Sequence, residues 1–320
     1  MKALVTGGGG FIGGWLARRL LDDGYTVRVV DVSPLAEWWQ VHHGAENLSG
    51  RDLTEWDECM AAVRGMDEVY NLAADMGGLG WLVGNDASIM HHNLLISVHM
   101  IEAADRCGVS RYLESSSACV YREDLQADPD NPGLAEDDAY PAQPDMGYGW
   151  AKLMGERLSL YYAAERGLVT RIPRFHNIYG TRGEWQGERP KAPASLCRKV
   201  AQALNGGSIE VWGDGKATRS FCHVSDAVEG LCRLMRSDYG QPVNIGRDDL
   251  ISIDDLARLI IDISGKRLGI RHVVGPEGVR GRNADLTLCR KVLDWEPSID
   301  LRTGLTETYE WISEQVAAHA

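Results

Sequence analysis

The sequence predicts an α/β fold in which a doubly wound parallel sheet is joined to a smaller, mixed C-terminal region. Three observations predict it. The chain opens with an apolar run, a glycine cluster and a helical apolar pattern, KALVTGGGGFIGGWLARRLL. A second apolar run, YTVRVVD, follows and ends in an acid. Strand and helix patterns then alternate with short connections, which is typical of a parallel sheet covered on both faces.

The first helix follows the glycine cluster directly. Five apolar residues recur there at helical spacing and define its buried side: Phe11, Ile12, Leu16, Leu20 and Leu21. The later elements are predicted as strand 67–74, helix 88–107, strand 111–117, helix 146–166 and strand 168–175.

The rhythm changes after residue 175. Segment 176–193 is rich in Gly, Pro, Arg and Trp and indicates a loop. Helices are then predicted at 193–206, 225–236 and 253–265. We therefore expect a dinucleotide-binding domain over 1–175, with a return at about 212–248, and a mainly substrate-binding domain over 176–320.

Composition excludes several classes of function. The chain has 320 residues with 33 Lys and Arg against 46 Asp and Glu, a net charge of −13 that argues against a nucleic-acid partner. The cysteines number 7 and form no CxxC pair, so neither a zinc site nor a disulfide framework is expected, and no metal is predicted. The N-terminal segment has the pattern of a strand and turn, so we expect no membrane segment and a cytoplasmic location.

The glycine cluster predicts a dinucleotide site. Gly7, Gly10 and Gly13 have GxxGxxG spacing between a strand and a helix, where backbone must approach a pyrophosphate. Asp31 ends the next strand, 24 residues after Gly7, which suits the hydroxyls of the adenosine ribose. Because a carboxylate there repels a 2′-phosphate, we expect NAD rather than NADP. The alternative is a structural turn without a cofactor.

Two nearby features are open to two interpretations. Asp52 and Leu53 frame the adenine or belong to a surface turn. Trp38 and Trp39 line a pocket or face a partner. The sequence does not decide either case.

Tyr148 and Lys152 form a YxxxK pair. On a helix, residues at i and i+4 share a face. A lysine ammonium there lowers the pKa of the phenol, so that the tyrosinate accepts a proton from a sugar hydroxyl as hydride leaves. The alternative is a solvated lysine beside an aromatic ring.

In these motifs the chain resembles the extended short-chain dehydrogenase/reductase family, which includes the sugar-nucleotide epimerases and dehydratases. The resemblance rests on GGGGFIG, Asp31, NLAA, the serine-rich strand, YGWAK and RFHNIYG. It implies a Rossmann fold and transient oxidation of a nucleotide-linked sugar at C4, with Ser117 hydrogen-bonding the substrate hydroxyl. It also implies a homodimer in which helices 88–107 and 146–166 form a four-helix bundle. The cofactor-binding residues that it implies are Gly7, Gly10, Phe11, Ile12, Gly13, Asp31, Asp52, Leu53, Leu72, Ala73, Ala74, Tyr148, Lys152 and Phe175.

Cys119 indicates which reaction follows the oxidation. The 4,6-dehydratases of the family read Thr-Asp-Glu where this chain reads Ser117-Ala118-Cys119. Cysteine stands in place of the glutamate base, and alanine in place of the acid that expels a leaving group. A cysteine shuttles protons where a nearby cation stabilises its thiolate. The alternative is a cysteine that only packs in the core.

Longer segments resemble the GDP-mannose 3,5-epimerases of this family: AADMGGLGW, SSACVY, KAPASLCRK, WGDGKATRSF and GPEGVRGRNAD. The resemblance implies Cys119 and Lys191 as an acid/base pair that exchanges protons at C3 and C5 of a GDP-hexose. Ser117, Tyr148 and Lys152 would serve the oxidation at C4 and the return reduction, and Arg280 would position the substrate and stabilise the enolate. The implied substrate-binding residues are Met76, Gly77, Gly78, Ser117, Asn177, Lys191, Arg219, Arg280 and Arg282.

Two positions depart from the pattern. Arg122 stands where the family has proline, and Pro190 stands where an acid is expected. Both flank predicted catalytic residues, so the exact sugar stays open. The remaining alternatives are a related epimerase on another nucleotide sugar, a 4-epimerase and a dinucleotide-binding sensor without catalysis.

Overall fold

The computed structural model describes residues 1–319. Its strands are β1 Lys2–Thr6, β2 Thr26–Asp31, β3 Glu46–Ser49, β4 Glu68–Asn71, β5 Arg111–Glu114, β6 Ser116–Ser117, β7 Thr170–Phe175, β8 Ile178–Tyr179, β9 Ser208–Trp212, β10 Thr218–Arg219, β11 Cys222–His223, β12 Pro242–Ile245, β13 Ile251–Ser252, β14 Gly269–Val273 and β15 Gly281–Arg282. Its helices are α1 Phe11–Asp22, α2 Trp56–Val63, α3 Leu79–Leu82, α4 Asp86–Cys107, α5 Gly147–Arg166, α6 Ala192–Gln202, α7 Val224–Arg236, α8 Ile253–Ser264, α9 Thr287–Leu293 and α10 Leu301–Ala318.

The main sheet is parallel and has the strand order β12-β7-β5-β4-β1-β2-β3, with β6 also paired to β7. The order reverses direction at β1, where the chain first runs outward through β2 and β3 and then crosses back to β4. Ligands bind at such a switch point, beyond the carboxyl ends of the strands. The predicted doubly wound fold is therefore confirmed.

The C-terminal half of the chain builds a second core. Helices α6, α8 and α10 enclose apolar residues that include Leu196, Leu256 and Ile312, all buried. Strand β12 returns the chain to the edge of the main sheet beside β7. The division into domains at residue 175 stays a prediction.

Helix α10 is not among the helices predicted from the sequence. Its first turn carries a recognisable signal, because the Asp300 carboxylate accepts a hydrogen bond from the Thr303 backbone N–H at 3.0 Å. An aspartate at this position caps a helix by satisfying one of its free amides.

A buried ion pair fastens α5 to the sheet. Arg174 on β7 donates from Nε and Nη2 to the two carboxylate oxygens of Glu156, each at 2.7 Å, and both side chains are 2% exposed or less. The Ser116 hydroxyl also donates to Glu156. Helix α5 also carries Tyr148 and Lys152. The Arg174–Glu156 ion pair therefore fixes the position of these two residues relative to the strand ends.

We expect Glu156→Gln to lower the free energy of unfolding by about 3–5 kcal/mol, because it leaves the Arg174 charge buried without a counterion. Denaturant unfolding measures the loss. Glu165→Gln, at an exposed position of the same helix, is the matched control. A loss below about 1 kcal/mol, the size of a surface ion pair, would show that Arg174 finds compensation elsewhere.

Candidate active site

A cavity of about 760 Å³ opens at the carboxyl ends of the main-sheet strands. Its walls come from the loop after β1, the end of β2, the segment after β4, the serine-rich strand, and the loop from Tyr179 to Lys191. The predicted site residues that line it are Gly7, Gly10, Phe11, Ile12, Gly13, Asp31, Leu72, Ala74, Met76, Gly77, Ser117, Tyr148, Phe175 and Lys191.

The glycine loop fits a dinucleotide. Gly7 has φ +64°, and a Cβ on Gly13 would lie 2.3 Å from the Gly7 carbonyl oxygen, so both positions require glycine. Helix α1 begins at Phe11 without a side-chain cap. Its free amides therefore face the cavity, which suits a pyrophosphate.

Asp31 lies at the far side of the glycine loop and lines the cavity. One carboxylate oxygen accepts from the Gly9 N–H and the other from the Ser33 N–H, each at 3.0 Å. These bonds hold the carboxylate at the end of β2, where the ribose of a dinucleotide lies in such folds. Trp38 packs against Gly9, and both Trp38 and Trp39 line the cavity.

Tyr148 and Lys152 lie on one face of α5, both buried. Lys152 Nζ is 5.8 Å from the centre of the Tyr148 ring and donates to the Ser115 hydroxyl at 3.2 Å. Burial raises the pKa of Tyr148, the nearby Cys119 adds to the shift, and a hydrogen bond with Ser117 opposes it. Lys152 is not among the causes of this shift, so the expected lowering of the Tyr148 pKa by the lysine stays a prediction.

Lys152 itself is affected by its buried position. Burial lowers its pKa, and the buried carboxylate of Glu114 opposes that shift. Glu114 is held by hydrogen bonds from Ser97 at 2.6 Å and Tyr112 at 2.6 Å. The acid therefore supports the charged form of Lys152 from behind the catalytic face.

Cys119 follows Ser117 in a short 3-10 turn, Ala118–Val120, and its backbone N–H donates to the Ser117 hydroxyl at 3.2 Å. Arg282 Nη1 lies 3.3 Å from the cysteine sulfur. A cation in contact with the sulfur favours the thiolate over the thiol. Cys119 thus has the neighbour that a proton-transferring cysteine needs.

Lys191 lies at the start of α6 and lines the cavity. Burial lowers its pKa, with Cys119 opposing the shift and Arg282 adding to it. An ammonium with a lowered pKa exchanges protons more readily near neutral pH. Burial and Arg282 also lower the pKa of Arg219 to about 9, so this part of the site favours an anionic ligand.

The model of the NAD dependent epimerase/dehydratase family matches residues 3–246. This chain belongs to that family. It is 43% identical to the GDP-mannose 3,5-epimerase 1 of Oryza sativa subsp. japonica over 99% of its own length and 82% of the relative's. The GDP-mannose 3,5-epimerase of Arabidopsis thaliana is also 43% identical, with 99% and 83% covered.

Solved structures of the epimerase/dehydratase family share the fold. The UDP-glucose 4-epimerase of Thermotoga maritima, solved with UDP-glucose, has a TM-score of 0.87 at 25% identity and covers 99% of this chain and 100% of its own. The predicted family, an NAD-dependent epimerase, and the predicted cofactor, NAD, are confirmed. When bound, NAD supplies an acceptor and donor of hydride; the glycine loop and Asp31 of this family member would hold it.

Other predicted residues lie outside the cavity lining. Arg280 forms ion pairs with Asp214 at 2.9 Å and Glu277 at 3.4 Å, and the Asn177 side chain donates to the Ser220 carbonyl. The residues that do not line the cavity are Asp52, Leu53, Ala73, Gly78, Cys119, Lys152, Asn177, Arg219, Arg280 and Arg282. The individual roles of these side chains stay predictions.

Asp52 and Leu53 illustrate why. Asp52 accepts from the Thr54 N–H at 2.9 Å and stabilises a local turn, whereas Leu53 is buried in the core. Neither residue lines the cavity, so a role in binding the adenine stays a prediction.

Two further residues, Arg189 and Ser115, belong to the site but were not predicted from the sequence. Arg189 lines the cavity, stacks on Trp81 with 4.0 Å between the guanidinium carbon and the ring centre, and donates to the Met76 carbonyl. The sequence signal for Arg189 is its position two residues before the predicted catalytic residue Lys191. Ser115 begins the serine run and holds Lys152.

Two further features concern residues 1–319. No group of three or more His, Cys, Asp and Glu side chains there has a geometry suited to a metal ion. Within the same range, each helix is too short or too polar to cross a bilayer.

We expect Asp31→Ser to weaken NAD binding roughly tenfold to a hundredfold, because hydrogen bonds to charged groups contribute about 1.5–3 kcal/mol. The same change removes the repulsion of a 2′-phosphate, so the preference for NAD over NADP should shrink. Equilibrium titration with both dinucleotides measures this, and Asp22→Ser, exposed on α1, is the control. Unchanged affinities would show that Asp31 serves only the backbone of the loop.

Proposed function

We propose that this chain epimerises GDP-mannose at C3 and C5, giving GDP-L-galactose and GDP-L-gulose through a transient 4-keto sugar. The observation that carries the proposal is the direct connection between two sets of groups. Ser117 and Tyr148 serve oxidation, and Cys119, joined to Ser117 by a backbone hydrogen bond and contacted by Arg282, serves proton exchange. The two GDP-mannose 3,5-epimerases that are 43% identical support the choice of substrate.

The oxidation at C4 requires one proton and one hydride to leave. Tyr148, as tyrosinate, takes the proton of the C4 hydroxyl, and Ser117 holds that oxygen. Lys152 and Ser115 support the position of the phenol from within the protein. The resulting C4 ketone makes the protons on C3 and C5 acidic.

Cys119 and Lys191 then act as a pair. One removes the proton from C5 and the other returns a proton to the opposite face, which inverts the carbon; the same exchange at C3 inverts that centre. The enolate that forms between the two transfers is anionic. Arg280, expected to stabilise it, is paired with Asp214 and Glu277, so we assign this role to the fixed charge of Arg282, which contacts Cys119. Return of the hydride to C4 and of the Tyr148 proton to the C4 oxygen completes the cycle without net oxidation.

The anionic end of the substrate suits the cations of the site. Burial and the neighbouring charge of Arg282 lower the pKa of Arg219, so the charge of Arg219 is disfavoured when the site holds no anion. A diphosphate would relieve this cost because an arginine fork binds two phosphate oxygens.

Turnover of a panel of GDP-, UDP- and dTDP-sugars by the NAD-loaded protein tests the proposal. We expect new hexose isomers from GDP-mannose only. A C4 epimer as the sole product would support a 4-epimerase, and absence of turnover with every sugar would support a dinucleotide sensor. Either outcome would refute the proposal.

We also propose a homodimer through α4 and α5. The two helices pack side by side and leave apolar side chains exposed: Val98, Trp150, Met154 and Tyr161. Trp150, Met154 and Tyr161 follow one stripe of α5, which suits packing against a second copy. Met154→Glu should therefore give a monomer in light scattering, whereas Leu204→Glu, exposed on another surface, should not. A monomeric parent protein would refute the dimer.

A cytoplasmic location belongs to the same proposal. All seven cysteines carry free thiols, which is the state that a reducing compartment maintains.

A further inference from the structure

Arg282 has a separate partner for each of its three nitrogens. Nε donates to the Gln126 side-chain oxygen at 2.5 Å, Nη2 to Asp145 at 2.9 Å, and Nη1 to the Cys119 sulfur at 3.3 Å. Because the guanidinium is planar and its donors point in fixed directions, two of these bonds determine where the third donor points. Gln126 and Asp145 therefore aim Arg282 at the sulfur.

Gln126 is a rigid, neutral acceptor. Its side chain is fully buried, and its amide nitrogen donates to the carbonyls of Tyr121 at 3.3 Å and Arg122 at 3.0 Å. These bonds fix the side-chain oxygen toward Arg282. No simple reorientation of the amide preserves them.

Asp145 differs in that it carries charge. Its side chain is 8% exposed, and within residues 1–319 one of its carboxylate oxygens is buried without a hydrogen-bond donor. A buried carboxylate oxygen without a donor costs stability. Packing alone would therefore not favour an aspartate at position 145, and its negative charge beside Arg282 calls for another explanation.

The charges around Cys119 indicate what the carboxylate of Asp145 does. The titratable and charged groups that face Cys119 and Arg282 are Tyr148, Lys191, Arg219, Asp145 and His176. Burial lowers the pKa of His176 to about 3, so it is neutral. Three cations consequently surround one sulfur, and Asp145 is the acid among these groups.

A proton shuttle must release its proton and also regain it, which requires a balance near the working pH. We propose that Gln126 and Asp145 tune Cys119 through Arg282: Gln126 holds the guanidinium against the sulfur, and Asp145 offsets part of its charge so that the thiolate regains a proton. Both are positioning residues for the proton exchange described under the proposed function, on which this inference rests.

The test does not depend on turnover. The rate of Cys119 alkylation by iodoacetamide is measured against pH in the NAD-loaded protein, with peptide mapping by mass spectrometry. The midpoint of the profile reports thiolate formation, and the plateau reports access to the sulfur. Cys107, the other partly exposed cysteine, is the internal reference.

The two variants should shift the midpoint in opposite directions. Gln126→Met removes a neutral acceptor and loosens Arg282, so we expect the midpoint to rise by about one pH unit, or tenfold less thiolate below it. Asp145→Asn keeps an acceptor but removes the charge, so we expect the midpoint to fall. The controls Gln202→Met and Asp22→Asn, both exposed, should leave it unchanged.

An unchanged midpoint in both variants, or shifts of the same sign, would overturn the inference. If Gln126→Met unfolds, alkylation of buried Cys59 reveals it, and the direction of the Asp145→Asn shift then decides alone. If the two variants show these shifts but the wild-type protein does not convert GDP-mannose, the proposed function is refuted and the tuning of Cys119 stands.

Discussion

Cys119→Ser is expected to stop proton exchange at C3 and C5 while leaving oxidation at C4 in place. A serine hydroxyl keeps the size of the side chain but does not ionise near neutral pH, so the contact with Arg282 no longer yields a base. General acid–base groups contribute roughly 100- to 10,000-fold to rate, and we expect a loss in that range. Deuterium incorporation from solvent measures exchange, and absorbance of the reduced nicotinamide measures oxidation.

Cys107→Ser is the matched control, because Cys107 is also partly exposed but lies at the end of α4. It should retain the rates of the parent protein. A 4-epimerase would tolerate Cys119→Ser. Exchange at the parent rate in Cys119→Ser would therefore assign the cysteine to packing.

Tyr148→Phe is expected to suppress every step, because proton exchange needs the ketone that oxidation creates. The change removes one hydroxyl from a buried ring and leaves the glycine loop intact, so NAD should stay bound. We expect kcat to fall roughly 100- to 10,000-fold with a smaller change in KM.

Tyr162→Phe, on the same helix, controls for loss of a phenol. Single-turnover absorbance should show no reduced nicotinamide in Tyr148→Phe, in contrast to Cys119→Ser. Parent-like oxidation by Tyr148→Phe would transfer the role of base to another group and refute the assignment.

The parts of the fold that carry strong local patterns could be predicted from the sequence. The glycine cluster, Asp31 and the YxxxK pair depend on spacing within one strand or helix, and the structure places Gly7, Asp31 and Tyr148 around one cavity. Helix α10 is not among the predicted elements, although Asp300 marks its start as a capping residue.

The missed site residues depend on long-range contacts. Gln126 ends a short 3-10 turn and Asp145 lies in the loop before α5, and they meet Arg282 across 156 and 137 residues of chain. No periodicity marks them, and their partner is known only once β15 is placed beside β10.

The most direct test of the central claim is incubation of the NAD-loaded protein with GDP-mannose in deuterated water. The account predicts deuterium at C5 and C3 of the recovered sugar nucleotides, together with products inverted at those carbons. Absence of deuterium at both carbons, with NAD bound and the protein folded, would contradict it.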